Sequence, residues 1–227
     1  MSGIGTLGEG PLHAAIKQWL ARPGDRFEVP VQRWVIDLVR ADGELVEVQT
    51  GDFGPLGAKL DGLLDTHRMR IVHPLAAQRR IVRVDADGVI LSERRSPHRA
   101  GVLEIFDRLV SFPTLVGHPH LVVEVLLCRE DHVRSPAPVR SRSGRRTRDP
   151  GVRHLGEVLE RHELRQPADA LGLLGADLPA QPFTTADLAR VLGVTTLSAQ
   201  RVAYCLRLME LIAPAGKRGP APLHRRV

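Results

Sequence analysis

Lysine is nearly missing from this chain. Only Lys17, Lys59 and Lys217 occur among 32 basic residues, so arginine carries almost all the positive side of a formal net charge of +6. That balance favours a polyanionic partner such as nucleic acid over an acidic protein surface, although a GC-rich coding sequence yields the same bias without selection for DNA binding. Aromatic residues are scarce, at 4%. Their scarcity excludes the stacking platforms that hold single strands or RNA bases and leaves duplex DNA as the expected partner. Two cysteines, Cys128 and Cys205, are too few for a disulfide scaffold or a zinc cluster, and read as buried filler in a reducing compartment. Long apolar runs are missing too. The stretch Leu121 to Leu127 is broken by Glu124 and falls far short of the about 20 residues that a membrane helix needs. The opening Met1-Ser2-Gly3-Ile4-Gly5-Thr6-Leu7-Gly8 has no basic region followed by an apolar one, so a cytoplasmic location without a membrane partner is expected.

What is present is an ordinary globular composition of 227 residues, 43% hydrophobic and 26% charged, enough for one large domain or two modest ones. Its most informative segment is a pair of runs, Arg33–Arg40 and Glu44–Thr50, joined by Ala41-Asp42-Gly43. The runs are rich in Val, Ile and Leu, and the connection suits a three-residue hairpin loop with Gly43 at positive φ. That loop pairs Arg40 with Glu44, and in the same register Asp37 falls opposite Glu47, with Gln49 two residues further along the same face. Opposed carboxylates with Cβ atoms about 5 Å apart destabilise a sheet unless a cation or a proton lies between them. A divalent metal resolves the conflict; an exposed hairpin with ordinary surface charges is the plainer alternative.

Asp37, the hairpin, and Glu47-Val48-Gln49 resemble the metal-binding core of the PD-(D/E)XK nuclease superfamily, whose members include many restriction enzymes and Holliday-junction resolvases. Glu9 stands where that superfamily often adds a helical glutamate. Ile36 replaces the proline before the aspartate, and Gln49 replaces the lysine. The resemblance covers Gly5 to Leu75. It implies a restriction-endonuclease-like fold, that is, an α/β architecture with a central mixed sheet flanked by helices. It also implies Mg²⁺ or Mn²⁺ held by Asp37, Glu47 and the carbonyl of Val48. Gln49 or Lys59 would position a water, and Glu9 would complete the shell. The whole chain is also similar to uncharacterised prokaryotic proteins in which such a half precedes a helical tail.

Periodicity places a helix at 11–21, with Pro11 in its first turn, then a strand at 27–31 before the hairpin. A leucine-faced helix over 56–64 and a strand at 70–74 follow. Strands at 80–84 and 89–91 flank Asp87-Gly88, with a helix at 102–110 and a strand at 122–128 completing a domain over residues 1–133. Residues 134–153, a Ser/Pro/Arg stretch holding Arg140, Arg142, Arg145, Arg146 and Arg148, read as a basic linker.

Residues 154–227 read as a small winged-helix-like α+β domain. Thr184-Thr185-Ala186-Asp187 starts one helix and Gly193 breaks it; a second helix begins near Thr196, and a basic hairpin from Leu211 to Arg225 ends the chain. Val202, Leu206 and Met209 form the apolar stripe of the second helix. Gln200, Arg201, Tyr204 and Arg207 lie on its other side, placed to meet a major groove, with Lys217 and Arg218 on the wing. Winged helices also serve as dimerisation or partner modules, so a homodimer is the competing use of the tail.

Two other motifs take plain readings. Gly3-Ile4-Gly5-Thr6-Leu7-Gly8 matches the letters of a dinucleotide-binding fingerprint but follows no strand, and His118-Pro119-His120 lacks accompanying metal ligands and reads as a turn. The leading expectation is a metal-dependent DNA endonuclease. Its rival is a nuclease fold without catalysis, acting as a DNA-binding or regulatory module through the tail, which Gln49 in place of lysine favours.

Overall fold

The structure, a computed structural model, describes residues 10–97, 99–135, 139–140, 146–147 and 151–227. Pro11 occupies the first turn of helix α1 (Pro11–Leu20), where a missing N–H costs nothing, and Leu12, Ile16 and Leu20 bury one face. Strands β1 (Arg26–Val31), β2 (Trp34–Val39) and β3 (Leu45–Val48) run antiparallel in sequence. A 3-10 turn at Gly54–Leu56 leads into helix α2 (Gly57–Leu63). Strand β4 (Met69–Val84) then runs parallel to β3 and turns at Asp85–Gly88 into β5 (Ile90–Arg95). Helix α3 (Phe106–Leu109) lies between 3-10 turns at Val102–Ile105 and Pro113–Leu115. Strand β6 (Leu121–Arg134) returns parallel to β4, from Met69↔Leu121 to Arg83↔Arg134.

Strands β3, β4 and β6 form the parallel heart of a seven-stranded mixed sheet in the order β1-β2-β3-β4-β6-β9, where β9 is Val152–Leu164 and β5 pairs with the far half of β4. Parallel strands are buried on both faces, which requires a layer on each side. On one face α1 covers Leu38, Val46, Val48, Val72, Leu126 and Cys128. On the other, Leu45, Ile71, Val123 and Val125 pack under α2 and α3, and that core continues without a break into the tail. The fold is therefore mixed α/β, a large mixed sheet flanked by helices. Among the described residues, no helix is long and apolar enough to cross a membrane.

The expected boundaries at 134 and 154 do not hold. Residues 152–164 form β9, antiparallel to β6 from Val133↔Val152 to Val123↔Leu164, so the segment between them connects two paired strands and does not link domains. Within it, β7 (Val139–Arg140) pairs with β8 (Arg146–Thr147), whereas Arg142, Arg145 and Arg148 lie outside the described residues. The strand hid in the sequence because β9 is a charged edge strand exposed along most of its length, a common way to block unwanted strand addition.

The tail begins with α4 (Pro167–Gly172), followed by α5 (Thr185–Leu192), α6 (Thr196–Leu208) and the hairpin β10 (Ile212–Arg218) and β11 (Ala221–Arg226). Phe183 bridges to His224, adding a short third strand. Thr184 and Asp187 close the anticipated capping box, and Gly193 ends α5 in the left-handed region at φ 64°. Val202, Leu206 and Met209 are buried as the stripe predicts. Cys205, also buried, lies under the carbonyl of Phe106, and Arg201 pairs with Asp107 at 2.8 Å, so α6 is docked on α3.

One buried cation ties three strands together. Arg70 on β4 meets Glu44 beside β3 at 3.2 Å, Glu124 on β6 at 2.8 Å and Glu163 on β9 at 2.6 Å. Glu124 is fully buried and also holds Arg161. Removing one member of a buried charge network strands the others in a medium of low dielectric. Arg70→Met should therefore lower the unfolding free energy in urea by about 3 kcal/mol. A loss below about 1 kcal/mol, the range of exposed pairs, would show that Arg70 is solvated and not structural.

Candidate functional site

The hairpin adopts the expected register. Leu38 pairs with Val46 and Val39 with Leu45, Arg40 N–H donates to the Glu44 carbonyl at 2.9 Å, and Gly43 has φ 85°. The ladder ends at Leu38↔Val46, one step before Asp37 and Glu47. There the two strands part. The Val48 N–H donates to Asp37 Oδ2 at 2.7 Å, so a side chain takes the place of a strand partner. On the other side of Asp37 the β1 residue Glu28 sits at φ 50°, a left-handed conformation that a side chain adopts only under constraint. The carboxylate of Asp37, 8% exposed as a residue, thus lies in a fork opened in the sheet.

Two side chains reach the fork from helices on opposite faces of the sheet. From α1, His13 Nε2 donates to Asp37 Oδ2 at 2.9 Å. From α2, Lys59 Nζ donates to Glu47 Oε1 at 2.5 Å and to the Val35 carbonyl at 3.2 Å. The other oxygen, Glu47 Oε2, is buried and has no hydrogen-bond partner among the described residues. Burial raises the Glu47 carboxyl above its ordinary range and the Asp37 charge pushes it the same way, while Lys59 and a hydrogen bond from the Asp37 backbone oppose both. The site is thus a pair of adjacent carboxylates with one ammonium between an acid and a strand carbonyl.

Gln49 is turned to other work. Its side chain donates to the Asp52 carbonyl at 2.5 Å, and its own carbonyl accepts from His73 Nδ1 at 2.5 Å. His73 is buried against Phe53, and desolvation brings its ring down to about 4, so it is neutral and carries its proton on Nδ1. Gln49 therefore braces the loop after β3, and the cation at the acidic pair comes from Lys59. Glu9 lies outside the described residues. Among the described residues, no group of three or more His, Cys, Asp or Glu side chains is arranged to hold a metal, so the oxygen set in view is Asp37, Glu47 and the Val48 carbonyl. The His118-Pro119-His120 segment is a turn, in which His120 N–H donates to His118 Nδ1 at 3.2 Å.

His13 was not anticipated. The available signal was its place in the first turn of the helix read over residues 11–21. In the tail, Gln200, Tyr204 and Arg207 lie on one exposed face of α6, with the Arg207 guanidinium 6.0 Å from the Tyr204 ring. Arg201 faces α3 instead, held by Asp107, and Arg218 is engaged by Asp187 at 3.0 Å and by the Pro182 carbonyl at 3.2 Å. Lys217 is exposed on β10.

These features define a mixed α/β protein with a forked, doubly acidic hairpin at one end of its sheet. The chain belongs to DUF8091, a domain of unknown function, whose family model matches residues 10–165. That match contains the fork and all of β9 and stops before α4. An uncharacterized protein of Treponema pallidum (strain Nichols) is 31% identical over 229 residues, which cover 98% of this chain and 87% of the relative. No solved structure matches the chain.

Lys59 offers a direct test of the electrostatics. Below the ordinary carboxyl value of 4.5, Glu47 is protonated in both the folded and the unfolded chain, and an ammonium beside it adds little. As pH rises through the elevated folded value, the folded carboxyl ionises against burial and Asp37, and stability is lost unless Lys59 offsets it. Lys59→Met should therefore cost little near pH 4 and progressively more above it, read as a gap in urea midpoints that widens towards neutrality. A gap independent of pH would mean that Lys59 contributes by packing alone.

Proposed function

We propose that this chain is a metal-dependent phosphodiesterase of the PD-(D/E)XK, restriction-endonuclease-like class that cuts duplex DNA in the cytoplasm, with Asp37 and Glu47 as its metal ligands. The observation that carries this reading is Glu47 Oε2, a buried carboxylate oxygen that has no hydrogen-bond partner among the described residues and stands beside a second carboxylate. Leaving such an atom unsatisfied costs about 1–3 kcal/mol, and more for a charged group. A hard divalent cation, Mg²⁺ or Mn²⁺, suits the oxygen donors present: Asp37, Glu47 and the Val48 carbonyl. Bound there, it would neutralise charge on a phosphate and lower the pKa of a water.

The remaining roles fall to residues of the chain. His13 and the Val48 N–H fix the orientation of Asp37 and hold it as an acceptor. Lys59 supplies on α2 the positive charge that Gln49 lacks; it stands against Glu47 Oε1, where it can orient the attacking water or stabilise charge developing on the phosphate. Glu9 completes the shell in this reading. The helix–helix–hairpin order of the tail resembles a winged helix. The exposed Gln200, Tyr204 and Arg207, with Lys217 on the wing, would meet the duplex.

A second reading has one observation in its favour. Lys59 already places a charge against Glu47, and a site neutralised by its own lysine can be a purely structural ion pair. The chain would then be a nuclease fold without catalysis that binds DNA, or a second copy of itself, through the tail. Incubation with supercoiled, nicked, branched and single-stranded DNA separates the two. The first reading expects cutting only with Mg²⁺ or Mn²⁺, abolished in Asp37→Ala and Asp37→Asn with DNA binding retained. Binding without cutting of every form would leave the second reading standing.

A further inference from the structure

We propose that an arginine-lined cavity at the far end of the sheet is a second site, which binds an anion carrying two or more phosphate groups. The cavity lies where β4, β5, β6 and β9 extend past the core, with a volume of about 520 Å³. Small-molecule pockets span about 300–1,000 Å³, so a diphosphate or a nucleotide fits. Val72 marks where β4 passes the forked hairpin, and Gln78 to Arg80 stand six to eight residues further along. At about 3.3 Å per residue the cavity is roughly 20 Å from Asp37 and Glu47, a separate place with separate chemistry.

Two bulges shape it. β4 carries an extra residue at Ala77, between the pairs Ala76↔Cys128 and Gln78↔Arg129, and β9 carries one at Gly156, opposite Arg129 and Glu130. A Cβ on Gly156 would come within 3.0 Å of the Arg129 carbonyl, so glycine permits the close approach. Bulges in sheets re-aim side chains and concentrate beside functional sites. Here they bring Arg79, Arg80 and Arg129 from the long strands to one concavity with Arg95 and Arg99.

The charges around it do not balance. Glu130 is fully buried and is gripped by both arms of Arg153, at 3.0 and 2.8 Å. Arg80 serves Asp131 and Glu93, and Arg129 serves Glu157. Arg79 reaches Glu130 only at 3.6 Å, and its Nε is buried without a hydrogen-bond partner. Arg95 and Arg99 have no ion pair among the described residues. With Arg153 counted, six arginines stand against these four carboxylates, an excess of two positive charges. Guanidinium forks match phosphate oxygens two at a time, which makes arginine the residue suited to this ligand. Among the described residues no aromatic side chain lines the cavity, so the arginines take hold of phosphates and leave a base unstacked.

The test is isothermal titration of the full chain with inorganic pyrophosphate and, separately, ATP, in EDTA to keep the hairpin site out of play. Saturable one-to-one binding is expected. It should weaken about tenfold or more in the doubly exposed Arg95→Ala/Arg99→Ala variant, and less with lysine at both positions. Unchanged thermal unfolding of the variant excludes a folding defect. Glu47→Gln should bind pyrophosphate as the wild type does, so failure of this proposal and failure of the nuclease reading are distinguishable. A short duplex that competes with pyrophosphate, and loses affinity in the double variant, would assign the phosphates to a nucleic-acid backbone; no competition would assign them to a free ligand. Absence of saturable binding at millimolar pyrophosphate, or equal affinity in wild type and double variant, would overturn the site.

Discussion

The parallel pairing of β4 with β6 is the constraint on which the rest of the molecule depends. Fourteen registered residue pairs run from Met69↔Leu121 to Arg83↔Arg134, and parallel strands of this kind must be covered on both faces. One face is met by α1 alone, which sets His13 over the hairpin. The other is met by α2 and α3, which sets Lys59 over the same hairpin from the opposite side and gives α6 a surface on which to dock. Both strands also run past the covered region. Their far halves set Arg79, Arg80, Arg129, Glu130 and Asp131 beside Ile81, Val82 and Val133, and they are paired laterally by β5 and β9.

Charge is consequently managed differently at the two ends of the sheet. Around Arg70, one guanidinium is shared by three carboxylates, and Arg161 helps to balance Glu124; the network locks β3, β4, β6 and β9 together. Around Asp37 and Glu47 the balance is incomplete, because Lys59 answers Glu47 while Asp37 is held by His13 and the Val48 N–H, and Glu47 Oε2 has no hydrogen-bond partner among the described residues. Around Arg79, Arg95 and Arg99 it is incomplete in the opposite sense. On the two proposals made above, the fold closes its charges tightly in one place and leaves them open in two others for ligands, one cationic and one anionic.

Much of this was legible in the sequence. The hairpin register followed from a three-residue loop and the period of two, and it holds from Arg40 and Glu44 to Leu38 and Val46. The capping box at Thr184, the break at Gly193 and the stripe through Val202, Leu206 and Met209 were equally plain, because each rests on local chemistry. What escaped depended on distant partners. β9 is polar because it is an edge strand, so no apolar period marked it, and its pairing with β6 moved the boundary of the tail to residue 165. His13 and Arg201 were missed or misassigned for a similar reason. Whether a helix side chain meets solvent, Asp37 or Asp107 is decided by the packing of the helix, which its own sequence does not report.

The central claim is that Asp37 and Glu47 are left as adjacent carboxylates because a divalent cation belongs between them. Anomalous diffraction from crystals grown with MnCl₂ tests it most directly. The account predicts a manganese peak at coordination distance, about 2 Å, from oxygens of both side chains, lost in Glu47→Gln crystals. A fork without a peak at saturating manganese, with Lys59 still against Glu47, would contradict it and leave the acidic pair as a structural ion cluster.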